Sequence, residues 1–166
     1  MKRMASLLLA VAVIATGAVE ALAADSVGTA VRRHRHVVVF TRSTSIIHLA
    51  ERGNARAQVR LGFMYEYGRG VPQDFVLAAM WYRRSAEQGN PDGQHLLGLL
   101  YNKGRGVPEN LVEAYKWLNL AAAGARGRNR NHYILMRDAI SSKMDRYEIA
   151  EAQRRSREFY PVRERG

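Results

Sequence analysis

The 166-residue chain contains no cysteine. A thiol nucleophile, a thiolate metal ligand and a disulfide staple are all excluded, as is tethering through a lipid-modified cysteine. Acidic residues are also scarce: 15 Asp and Glu stand against 26 Lys and Arg, a formal net charge of +11. Long apolar runs are missing too. The longest, Ala5 to Val19, is about fifteen residues, short of the roughly twenty that a membrane-spanning helix needs. No serine sits in a Gly-x-Ser-x-Gly turn and no Gly-Lys-Ser/Thr loop occurs. The five histidines, His34, His36, His48, His95 and His132, show no His-x-x-x-His spacing. The residue sets that commonly mark a hydrolase, a nucleotide-binding enzyme or a zinc enzyme are therefore absent. His34-x-His36 puts two imidazoles on one side of an extended strand, which makes only a weak metal site.

What is present begins with an export pattern. Lys2 and Arg3 precede the apolar run, and Ala21-Leu22-Ala23 supplies a small-x-small cleavage site, so residues 1–23 read as a signal peptide. The expectation is an exported chain, periplasmic or secreted, of about 143 residues, enough for one domain with a modest core. Its charge is uneven: residues 24–49 carry +3, 50–125 carry +2 and 126–166 carry +5. The basic character sits on the flanks. Residues 24–44 form a basic lead-in with Arg32, Arg33, His34, Arg35 and His36 followed by Val37-Val38-Val39-Phe40. The like charges favour disorder and the apolar residues favour burial, and both readings stand.

The most informative feature is internal repetition. Residues 53–88 laid over 89–124 without a gap match at 15 of 36 positions, mostly glycines, a proline, aromatics and small residues. A tandem helical array is expected. Ala57, Leu61 and Tyr65 give the first helix of a repeat its core stripe, with Gly62 open to a close neighbour. Gly68 with Gly70, and Gly104 with Gly106, end that helix, and Pro72 and Pro108 keep it from continuing. Asp74 and Asn110 cap the second helix, Glu113 being placed to complete a capping box. Ala78 with Trp81, and Ala114 with Trp117, pair a small and a large core residue. Gly89-Asn90-Pro91 reads as stop, cap and first helical position. Beyond Gly124 the 36-residue register fails, but the pattern stays helical: His132–Met144 suits one helix, and Asp145 with Glu148 opens another through a capping box.

The stretches LGFMYEYGRGVPQDFVLAAMWY at 61–82 and LGLLYNKGRGVPENLVEAYKWL at 97–118 resemble the Sel-one-like repeat, a helical-hairpin relative of the tetratricopeptide repeat. The resemblance implies an all-α fold, a right-handed α-solenoid of antiparallel helix pairs. Residues 45–125 would hold one partial and two full repeats, 126–161 a C-terminal capping hairpin and 162–166 a tail. It also implies a non-catalytic protein-binding module. The groove would be lined by the first helices, through Arg56, Arg60, Phe63 and Tyr67 in the first repeat and His95, Leu99 and Lys103 in the second. Exported members of such a family suggest an adaptor or regulator in the cell envelope.

Two other functions are compatible with the sequence. Arg32, Arg33 and Arg35 with Arg126, Arg128 and Arg130 suit a polyanion such as lipopolysaccharide, acidic polysaccharide or anionic lipid. Nucleic acid is disfavoured by export. Cysteine-rich relatives that act on β-lactams suggest a weak hydrolase, for which Ser85 and Ser141-Ser142-Lys143 are the nearest features. No cofactor and no metal are expected.

Overall fold

The computed structural model describes residues 45–162 and Glu164. The expected signal peptide, the basic lead-in with Arg32, Arg33 and Arg35, and the His34-x-His36 pair lie outside the described residues.

Seven helices follow one another with no strand among the described residues. Residues 45–51 form α1. The first repeat comprises α2, Ala55–Tyr67, and α3, Phe75–Glu87; the second comprises α4, Pro91–Lys103, and α5, Leu111–Gly124. Two further helices follow, α6, Gly127–Ser141, and α7, Arg146–Arg157. Each helix packs on the next from α2 to α6, and α7 packs on α5. The fold is an all-α helical repeat solenoid.

Local chemistry sets these boundaries. Asn54, Asp74, Asn90, Asn110 and Asp145 each accept backbone N–H groups at the start of a helix, satisfying donors that the helix itself leaves free. The two α2–α3 and α4–α5 turns are built alike. Arg69 donates its N–H to Met64 and Asp74 to Tyr65, just as Arg105 donates to Leu100 and Asn110 to Tyr101.

Asn110 departs from expectation in one respect. Its side chain caps Glu113 N–H, but its own N–H is taken by Tyr101 O. Glu113 instead turns to Lys116 and to Arg155 on α7, at 3.2 and 2.8 Å. No capping box forms there. The box at Asp145 and Glu148 does form. The helix expected at His132–Met144 starts earlier and ends sooner, at Gly127–Ser141. Ser141 and Ser142 turn their hydroxyls onto Asp138 O and Ala139 O, and the chain leaves the helix in time for Asp145 to cap α7.

The core follows the repeat. Leu61, Leu97 and Leu118 are buried, each contributing roughly 1.5–3 kcal/mol relative to exposure. Trp81 joins Ala50, Ala57, Leu61 and Met64 in one cluster, while Trp117 joins Tyr82, Leu97 and Ile140 in a larger one. Gly62 lets the Tyr82 ring come close: a Cβ there would lie 2.6 Å from it. At the far end α7 buries only Ala152 and Ser156, and its Glu151, Arg154 and Glu158 pair with one another in solvent.

Candidate partner-binding site

A cleft of about 660 Å³ opens between α1 and α2. Helix α1 contributes Ser45, Ile46 and Leu49, α2 contributes Val59, Arg60, Phe63 and Met64, and the following turn contributes Arg69. The i, i+3 and i, i+4 spacing on α2 brings these side chains to one face. Phe63 and Tyr67 contact each other with ring centroids 4.4 Å apart. The Arg69 guanidinium lies over both rings, at 5.0 and 5.8 Å, a cation–π arrangement that holds it at the cleft edge. Neither Arg60 nor Arg69 forms a salt bridge among the described residues. The result is an apolar floor with two available guanidinium groups beside it. Arg56 is exposed one turn before Arg60 and does not line the cleft.

The matching face of the second repeat is different. His95 is half-buried on α4 and stacks on Tyr133 of α6 at 4.4 Å, with His132 edge-on at 5.4 Å. Tyr133 in turn donates to Asp92 at 2.6 Å. Burial, with a contribution from His132, pushes His95 down to about 4, against a smaller opposing pull from Asp92. Its Nε2 is buried without a hydrogen-bond partner. Leu99 is half-buried and Lys103 exposed. Of the first-repeat groove positions, Arg60 and Phe63 line the cleft and Arg56 and Tyr67 do not, whereas in the second repeat α6 covers the histidine.

The remaining candidates also have defined places. Arg126, Arg128 and Arg130 are exposed at the start of α6. On a helix, residues two apart point about 200° away from each other, so Arg128 and Arg130 do not share a face. Ser85 is fully buried and donates to Ala55 O at 2.8 Å. With the Ser141 and Ser142 hydroxyls likewise turned onto backbone carbonyls, these serines serve the helices. Among the described residues no group of three His, Asp or Glu is placed to hold a metal ion, and no helix is long and apolar enough to cross a membrane.

Arg69, Ile46 and Leu49 were not expected at the site. Arg69 recurs as Arg105 within the shared Gly-Arg-Gly turn and so looked like framework. Leu49 and Ile46 belong to the partial repeat, where there is no full copy to compare.

The Sel1 repeat profile matches residues 55–90 and 91–125. A Sel1 repeat protein from Oxalobacter formigenes is 40% identical, with a TM-score of 0.50, over 54% of this chain and 67% of that one. The chain belongs to the Sel1 repeat family. Sel1 repeat proteins are in general non-catalytic modules for protein interaction. A second solved structure is c5321, a protective antigen present in uropathogenic Escherichia coli strains and displaying an SLR fold. It is 29% identical with a TM-score of 0.64 over 69% of this chain. The chain spans only 24% of the length of that antigen. No curated protein matches the chain.

Proposed function

We propose that this Sel1 repeat protein is a non-catalytic adaptor or regulator of the bacterial cell envelope that holds a segment of a partner protein against its first helices. The observation that carries this reading is the cleft between α1 and α2, where an apolar floor meets the guanidinium groups of Arg60 and Arg69. Such a surface suits an amphipathic segment: apolar side chains fill the floor and an acidic residue meets the arginines. In this reading Leu99 and Lys103 extend the binding surface along the second repeat, while His95 acts mainly as packing under α6. Export rests on the N-terminal pattern at residues 1–23.

The test is differential capture. With the parent chain and the double variant Arg60→Ala/Phe63→Ala as baits in envelope extracts, a genuine partner is retained by the first and lost from the second. Both residues lie at the surface or half-exposed, so helicity by circular dichroism should match. Equal retention by both baits would overturn the groove assignment.

A further inference from the structure

A second recognition feature lies away from the cleft, at the edge where α3 ends and α2 begins. Gln58 is fully buried, and its amide is completely engaged. Its Nε2 donates to Ala50 O and to Glu164 Oε2, both at 3.1 Å, and its Oε1 accepts from Gln88 Nε2 at 2.7 Å. Arg84 grips the same carboxylate with two bonds, Nε to Oε1 at 3.0 Å and Nη2 to Oε2 at 2.5 Å. The guanidinium rests over Trp81 at 4.7 Å. A planar fork backed by an oriented amide is a geometry that selects a carboxylate.

The repeat supplies an internal control. One repeat on, Gln94 makes the same bond to Ala86 O, at 3.2 Å, so the glutamine–carbonyl tie is part of the common framework. The positions equivalent to Arg84 and Gln88 are Leu120 and Gly124. The framework folds without the fork, and only the first repeat carries it.

The present occupant is delivered by the chain's own tail, and lightly. Phe159 meets the edge of Trp117 at 5.5 Å, Val162 N–H donates to Glu87 O at 2.9 Å, and Pro161 sits against Gly89. Tyr160 and Val162 remain 81% and 69% exposed. Besides Glu164, the described tail residues are held through these aromatic, main-chain and proline contacts.

We propose that Gln58, Arg84 and Gln88 form a carboxylate-binding site for an acidic, extended segment of a partner polypeptide, with Glu164 as the chain's own competing ligand. The inference rests on the reading that the protein binds other polypeptides, but not on the cleft between α1 and α2. The chain's net charge of +11 favours approach by an acidic partner. A tethered competitor lowers the apparent affinity of any incoming segment by the fraction of time the site is open.

The test uses the full chain and a fluorescent peptide with the sequence of residues 158–166, followed by anisotropy. The double variant Val162→Pro/Glu164→Ala removes the main-chain bond and the carboxylate without touching a buried residue. It should bind the peptide about tenfold more tightly than the parent, as expected if the tail closes the site about nine-tenths of the time. Adding Arg84→Ala should abolish that binding, Arg84→Lys should weaken it by loss of the fork, and a peptide with glutamine at the Glu164 position should not bind. If Arg84→Ala perturbs folding through Trp81, Arg84→Met serves instead, because it keeps apolar cover over the indole and removes the fork. Absence of peptide binding to the folded double variant, or binding indifferent to both Arg84 and the peptide carboxylate, would overturn the proposal. Arg60→Ala/Phe63→Ala should leave peptide binding unchanged, so the groove and the carboxylate site fail independently.

Discussion

His95 holds the register position that Val59 holds one repeat earlier. There, burial and the neighbouring His132 keep the imidazole neutral, down to about 4. A base whose folded pKa is depressed from about 6.5 favours the folded state when neutral. Its contribution is complete above pH 6.5 and is lost as pH falls toward 4. In His95→Leu, the urea midpoint should therefore fall less between pH 6.5 and 4 than in the parent. An identical acid dependence in the two proteins would refute this account. The sequence marked His95 as a difference between repeats, but its cover comes from Tyr133 on α6, which lies outside the 36-residue register. Tyr82 is the complementary case. It is fully buried and donates to Glu66 at 2.7 Å, and in the second repeat both members change, to Leu118 and Asn102. Burial and the bond to Glu66 raise the Tyr82 phenol far above its usual range.

The turns show what joins one repeat to the next. A Cβ at Gly106 would lie 2.0 Å from the carbonyl oxygen of Phe75 and 2.3 Å from its carbon, because the α4–α5 turn packs on the start of α3. With φ at +69° the site also disfavours any other residue. Gly127, at φ +58°, has open space where a Cβ would go. Gly127→Ala should cost about 1–2 kcal/mol from backbone conformation alone. Gly106→Ala should cost about 2–5 kcal/mol, because overpacking against immobile backbone is added. Urea denaturation of the two variants checks the difference, and equal losses would show that the turn contact carries nothing. Helix starts, turns and core tryptophans were legible because each appears twice at the same offset. The ends of α6 were not. Its N-terminus follows Arg126, which makes no side-chain cap bond, and its last turn closes through serine hydroxyls, a pattern without a fixed sequence signature. Glu113 shows the same limit: its spacing suited a local cap, but Arg155, 42 residues away, offered a stronger bond.

For the whole molecule, the fold could be read from repetition, and the candidate cleft only in outline. The first-helix positions were identifiable, but the cleft also needs α1, whose half-repeat gives no second copy to compare. The tail contacts depend on long-range meetings that no period predicts. The two modes of binding weighed for this basic protein separate by ionic strength. A partner held in an apolar cleft should remain bound between about 50 and 200 mM salt, whereas an attachment through five phosphate-like contacts should weaken roughly 500-fold over that range. Pull-down at the two concentrations distinguishes them. Collapse of all capture at the higher salt would move the function to the basic flanks.

An array of stacked repeats ordinarily frays from either end, since each unit depends only on its neighbours. Here Glu164 bonds to Gln58, 106 residues earlier, so the chain's connectivity approaches a ring. Through this bond the tail and the opening helix of the first full repeat share a contact, so an event at one is felt at the other. This contact thus couples the first full repeat to the segment that follows α7, a tie that stacking of neighbours alone does not supply.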